Sequence, residues 1–122
     1  MTYVIGGLLT DDHNNGAKLE IEVNNKLEEK VSSNVIGVIY GSEEPDRYVM
    51  FGNHRDAWGF GALDPNSGTA QMMEVARVLG ERKKSGWRPR RTIMFLSWGA
   101  EEYSLCGSRE FVEQYEMEVS DR

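Results

Sequence analysis

Four acidic side chains and one histidine sit where apolar runs stop. Tyr48-Val-Met-Phe-Gly-Asn-His54-Arg-Asp56 is an apolar stretch ending in His-x-Asp, and Asp64 follows in Leu63-Asp64-Pro65-Asn66-Ser67-Gly68. A second apolar stretch, Thr92 to Trp98, runs into Gly99-Ala100-Glu101-Glu102. One imidazole and several carboxylates at the ends of rigid strands are a zinc-type donor set. Bound zinc lowers the pKa of water to about 7, and a nearby carboxylate can take its proton and pass it to a leaving amine. In this reading His54 and Asp64 are ligands, and Asp64 is suited to bridge two metals. Asp56, two residues from His54, is expected to accept the second imidazole N–H. Of Glu101 and Glu102, one ligates metal and the other faces the attacking water. Each residue alone also has a plain reading. His-x-Asp ends many strands, Glu-Glu is commonly a solvated pair, and Asp before Pro commonly forms a turn. The joint occurrence favours chemistry.

These residues need elements to hold them. Lys18 to Val23 alternates apolar and charged residues, as a half-buried strand does. Asn34–Tyr40 and Tyr48–Gly52 read as two further strands. The short Gly41–Asp46 turn between them predicts an antiparallel hairpin. Asn53–Asn66 is a Gly-rich loop in which the Asp64–Pro65 bond is a candidate for cis geometry. Ser67–Lys84 has helical spacing, with Ala70, Met72, Met73, Val75, Val78 and Leu79 as core or near-core positions, and ends in basic residues and Gly86. Thr92–Trp98 is apolar enough for a central strand buried on both faces. Gly107–Met117 reads as a second helix, with Phe111, Val112 and Tyr115 inward. The order β-β-β-α-β-α implies an α/β fold, a mixed sheet sandwiched by helices. Trp58, Trp87 and Trp98 read as packing residues, Trp58 also as a wall of the site.

Whole-chain properties exclude other classes. The 122 residues suffice for one small domain, and 39% hydrophobic with 28% charged residues is globular composition. A net charge of −6 argues against nucleic-acid binding. Arg88-Pro-Arg-Arg91 is too short to reverse that and reads as a solvated loop. The single Cys106 precludes an internal disulfide. Neither a signal peptide nor an apolar stretch of membrane-spanning length is present. His13 lies in a polar turn and is not expected to be a ligand. The chain has no His-Glu-x-x-His, which excludes the single-zinc helix motif, and Gly59-Phe-Gly61 lacks the third glycine of a dinucleotide loop.

The combined motifs resemble the glutamate carboxypeptidase II group of co-catalytic dizinc peptidases. That group includes the N-acetylated alpha-linked acidic dipeptidases, with the transferrin receptor as a non-catalytic relative. The resemblance rests on Glu44-Pro-Asp-Arg-Tyr-Val, Gly52-Asn-His-Arg-Asp-Ala-Trp58, Leu63-Asp-Pro-Asn-Ser-Gly68, Gly86-Trp-Arg-Pro-Arg-Arg-Thr-Ile93 and Ser97-Trp-Gly-Ala-Glu-Glu-Tyr103. It runs from about Ser33 to Tyr115. It implies residues 31–122 as the N-terminal part of a zinc peptidase domain. Residues 1–30 would be the tail of an apical, protease-associated region. It also implies His54 on one zinc, Asp64 bridging, Glu102 on the other zinc, Glu101 as general base and Asp56 supporting the histidine. Glu110 and Glu113 match carboxylates of a structural calcium site, and Ser104 and Leu105 fall where the substrate's C-terminal residue is lined. The family has Gly where Ser104 stands. A metal-bridged hydroxide cleaving acidic C-terminal residues is the implied activity. Homodimerisation and a single-pass membrane anchor with an extracellular catalytic domain are implied for the whole protein. The family's site draws a further Asp and His from downstream, so this stretch is expected to hold half a site and to be inactive alone. The non-catalytic, receptor-like branch has lost the metal ligands that stand here. That branch and a truncated, inactive product are the alternatives.

Overall fold

A computed structural model describes residues 20–120, with side chains to Glu116. Three strands and two helices follow in the order β1 (Val35–Ile39), β2 (Glu44–His54), α1 (Asn66–Lys84), β3 (Arg91–Trp98) and α2 (Cys106–Ser120). The architecture is the expected α/β fold around a mixed sheet. The strand order is β1-β3-β2. β3 runs antiparallel to β1, with Val35 opposite Ser97, and parallel to β2, with His54 opposite Trp98.

The predicted β1–β2 hairpin does not form, because β3 inserts between the two strands. The short connection misled for a geometric reason. Residues 40–43 link the strands, and four extended residues reach about 13 Å. That spans two strand spacings of about 4.8 Å as readily as one. The near-continuous apolar run of β3 claims the centre instead. The parallel β2–β3 pair needs a long crossover, and α1 supplies it.

The expected strand at 18–23 is a second correction. Glu20–Val23 has no regular structure, and Ile21 and Val23 are exposed. Lys18, Leu19 and the predicted turn with His13 lie outside the described residues. Alternation alone makes no strand where no sheet edge receives it.

Register sets which helix covers which face. Asn53, on the face shared with Phe51 and Phe95, donates to Thr69 Oγ1 at the start of α1. Trp98 projects to the other face by alternation and stacks on Phe111 of α2, ring centroids 5.2 Å apart. The helices therefore lie on opposite faces. Ile39, Met72, Leu96 and Phe111 form the buried core. Burial corrects several assigned positions. Ala70, Met73 and Val78 of α1 and Val112 of α2 face outward, while Met72, Val75, Ala76 and Leu79 face the sheet. Thr92 is buried with its hydroxyl fully used, donating to Pro45 O and accepting from Gly41 N.

Candidate metal centre

β2 and β3 are parallel and stop together, so the loops that leave their ends emerge at one place. His54 ends β2. The Arg55 N–H bonds to Trp98 O at 3.1 Å and carries the ladder one residue further. Asp56 lies just beyond β2, and Glu101 and Glu102 just beyond β3. The carboxyl ends of parallel strands are where α/β folds build sites.

Asp64 comes from the loop before α1, which is tied to the same strand end. Asn53 Nδ2 donates to His54 O at 2.5 Å and to Thr69 Oγ1 at 2.7 Å. The Asp64–Pro65 bond is cis. His54 Nε2 stands 2.8 Å from Asp64 Oδ1. Two Lewis bases that close must share a proton or a cation.

The other ring nitrogen is 3.0 Å from the Asp56 backbone carbonyl and 3.6 Å from its Oδ1. The expected imidazole partner was the Asp56 carboxylate; the carbonyl of the same residue takes that place. An Nδ1–H bonded there leaves the Nε2 lone pair aimed at Asp64. The Asp56 carboxylate turns to the other strand's loop, where Oδ1 accepts the Glu101 N–H at 2.9 Å and Oδ2 the Glu102 N–H at 3.1 Å. Burial alone would push this carboxyl's pKa up; the Glu101 and Glu102 N–H donors, together with its own backbone N–H and His54, hold it below its ordinary value. Asp56 thus joins the His54 strand end to the glutamate pair.

His54 is also 3.7 Å, through Nδ1, from Glu101 Oε2. Burial would lower its pKa, but Glu101, then Asp64 and the Asp56 carbonyl, overcome burial and raise it. Ligand atoms of His54, Glu101 and Glu102 all come within 4.8 Å of one another. One imidazole and surrounding carboxylates within that radius fit zinc by donor type and spacing.

The remaining predicted residues stand apart from this cluster. Ser104 and Leu105 lie in the loop after Glu102, both exposed, at φ 76° and 59°. Left-handed backbone favours glycine, which gives the family's Gly at Ser104 a physical reason. Glu110 is exposed on α2 beside a groove shared with Asp56, Tyr103 and residues 26–28 and 30–34. Glu113 lies 3.7 Å from Arg109 Nε. The Trp58 ring is 5.6 Å from that of Tyr103, joining the two loops that carry the cluster.

Sequence reasoning missed two residues. Arg55 donates to Ser97 O at 2.7 Å and also to Ser33 O, tying the segment before β1 to the end of β3. Asn34 bonds to both ends of the glutamate loop. No local pattern marks either one, because their partners lie far along the chain.

Residues 34–121 match the model of peptidase family M28. The chain belongs to that family. The M28 chain is 55% identical over 108 residues to "Aminopeptidase NAALADL1" of Mus musculus, covering 88% of this chain and 14% of that protein. It is 63% identical over 89 residues to "Probable glutamate carboxypeptidase LAMP1" of Arabidopsis thaliana, covering 73% and 13%. It is 55% identical over 102 residues to "Glutamate carboxypeptidase 2 homolog" of Caenorhabditis elegans, covering 83% and 13%. The chain therefore spans about a seventh of the length of the curated relatives it matches. No helix among the described residues is long and apolar enough to cross a membrane.

Proposed function

We propose that this M28 chain contributes half of a dizinc exopeptidase centre whose substrate is a peptide with an acidic C-terminal residue. The supporting observation is the grouping of His54, Glu101 and Glu102, with Asp64 Oδ1 2.8 Å from His54 Nε2. His54 and Glu102 would each hold one zinc, with Asp64 as the carboxylate available to both. Zinc held there would supply an acidified water and a Lewis acid for the scissile carbonyl. Glu101 takes the proton and delivers it to the leaving amine. Asp56 fixes His54 through its carbonyl and Glu101 through its carboxylate, so base and ligand keep one relative position.

The same family reading extends along the chain. Residues 31–122 form the first part of the peptidase domain, and residues 1–30 the tail of an apical region. Ser104 and Leu105 line the C-terminal subsite. Calcium at Glu110 and Glu113, homodimerisation and membrane anchoring of the whole protein rest on the family resemblance alone.

Two substrates test the activity in a protein containing the complete peptidase domain. An N-acylated dipeptide ending in Glu is expected to be cleaved, and a free-amine dipeptide amide is not. The reverse preference would make the enzyme an aminopeptidase, as the mouse relative is named. Glu101→Gln is expected to cut turnover by at least about 100-fold, the usual contribution of a positioned acid–base group, with zinc content unchanged. Turnover near that of the parent would remove Glu101 from the mechanism.

A further inference from the structure

The loop that carries Glu101 and Glu102 is closed by a side chain from the far end of the described chain. Asn34 directly precedes β1. Its Oδ1 accepts the Gly99 N–H at 3.1 Å, and its Nδ2 donates to Gly107 O at 2.7 Å. Gly99 is the first residue of that loop and Gly107 the second of α2, so the two flank it, and the Gly107 N–H meets Gly99 O at 3.0 Å. Inside this closure the Leu105 N–H bonds to Glu101 O at 2.8 Å and the Cys106 N–H to Ala100 O at 3.1 Å. The fit leaves no spare room. A Cβ on Gly107 would collide with Asn34 Oδ1 and Gly99 O, and one on Gly99 with Ser32 Oγ and Ser33 O.

The loop also needs such a brace. Ala100, Ser104 and Leu105 all have left-handed backbone, at φ 55°, 76° and 59°. A non-glycine residue pays a steric penalty there, and such conformations persist only where the surroundings over-determine them. Asp56 holds the loop at the Glu101 and Glu102 amides, and Asn34 holds its two ends.

We propose that Asn34 is a positioning residue: its carboxamide closes the Gly99–Gly107 loop and so fixes where Glu101 and Glu102 stand against His54. Its consequence for catalysis rests on the metal centre proposed above; its consequence for loop geometry does not. Asparagine suits the place because the site asks one side chain to accept at one end and donate at the other. Asn34→Ala loses both bonds. Asn34→Asp keeps the acceptor for Gly99 but, when ionised, sets an oxygen against the Gly107 carbonyl.

The test uses the 122-residue chain and two readouts. Amide hydrogen exchange should show Glu101 and Glu102 about tenfold less protected in Asn34→Ala, the factor that one ordinary hydrogen bond carries. Protection at the centre of β3 and in α1 should stay unchanged. Asn34→Asp should match Asn34→Ala at neutral pH and regain protection on acidification, when its carboxyl can again donate. Cobalt(II), added as a visible probe, should show a shifted absorption band in Asn34→Ala. Unchanged protection at Glu101 and Glu102 would overturn the proposal. So would a loss spread equally over β3 and α1, or an Asn34→Asp variant indifferent to pH. A parent chain that takes up no cobalt would count against the metal centre, while exchange would still decide the role of Asn34.

Discussion

At His54 the two ring nitrogens have different partners: Nδ1 meets the Asp56 carbonyl, and Nε2 points at Asp64. That His54 ends one strand and that Glu101 and Glu102 lie just beyond another was legible in the sequence, because each follows an apolar run. The partnering of Asp56 was not. Its spacing from His54 correctly placed it near the ring, but a strand end curves, and the carbonyl reached Nδ1 before the carboxylate could. The freed carboxylate took the Glu101 and Glu102 amides, a pairing across 45 residues that no local pattern encodes. This makes Asp56 structural as well as positional. Asp56→Ala should lower stability by about 2 kcal/mol, the range for hydrogen bonds to a charged acceptor, read by urea unfolding. A loss below about 0.5 kcal/mol, typical of surface changes, would show that those two bonds do not hold the loop.

Among the elements, helix spacing and apolar runs revealed α1, α2, β1, β2 and β3, but not the strand order. A short connection permits a hairpin but does not require one, and here β1 and β2 are not neighbours. The loop before α1 can be tested through two glycines. Gly59 and Gly61 both have positive φ, 71° and 61°. A Cβ on Gly59 meets nothing within 4 Å, whereas one on Gly61 would lie 2.5 Å from Ala57 Cβ and 2.9 Å from Asp64 O. Gly59→Ala should therefore cost only the backbone term, about 1 kcal/mol. Gly61→Ala should cost clearly more and displace Asp64. Equal losses in thermal unfolding would contradict the tight loop. At the opposite end of the sheet, the Arg91 hydrogen bond to Glu44 holds its pKa below the ordinary value against the opposing effect of desolvation, with Arg90 and Arg47 adding to the lowering. A depressed carboxyl stabilises the fold above its unfolded pKa and loses that contribution as pH falls through the folded value. The contribution is small, because the pair is exposed. Glu44→Gln should accordingly flatten slightly the acid limb of stability against pH, and a steeper limb would reverse the sign argued here.

For the whole molecule, few apolar side chains among the described residues are buried and much apolar surface is exposed. Val35 and Ile36 of β1 and Val49, Met50 and Phe51 of β2 remain exposed on its outer strands. Their apolar character and the α/β fold class were both legible in the sequence. Which of them a chain of this length covers was not, since burial depends on partners outside any local window. Ligand binding adds stability in proportion to RT ln(1 + [L]/Kd), so a centre built from two strand ends and a loop should tighten this small fold when filled. The most direct test of the central claim is zinc per chain, by mass spectrometry of the purified 122-residue protein and of His54→Ala. At least one zinc per parent chain is expected, with its loss in His54→Ala. No zinc in the parent, or equal zinc in both, would contradict a metal centre built on His54.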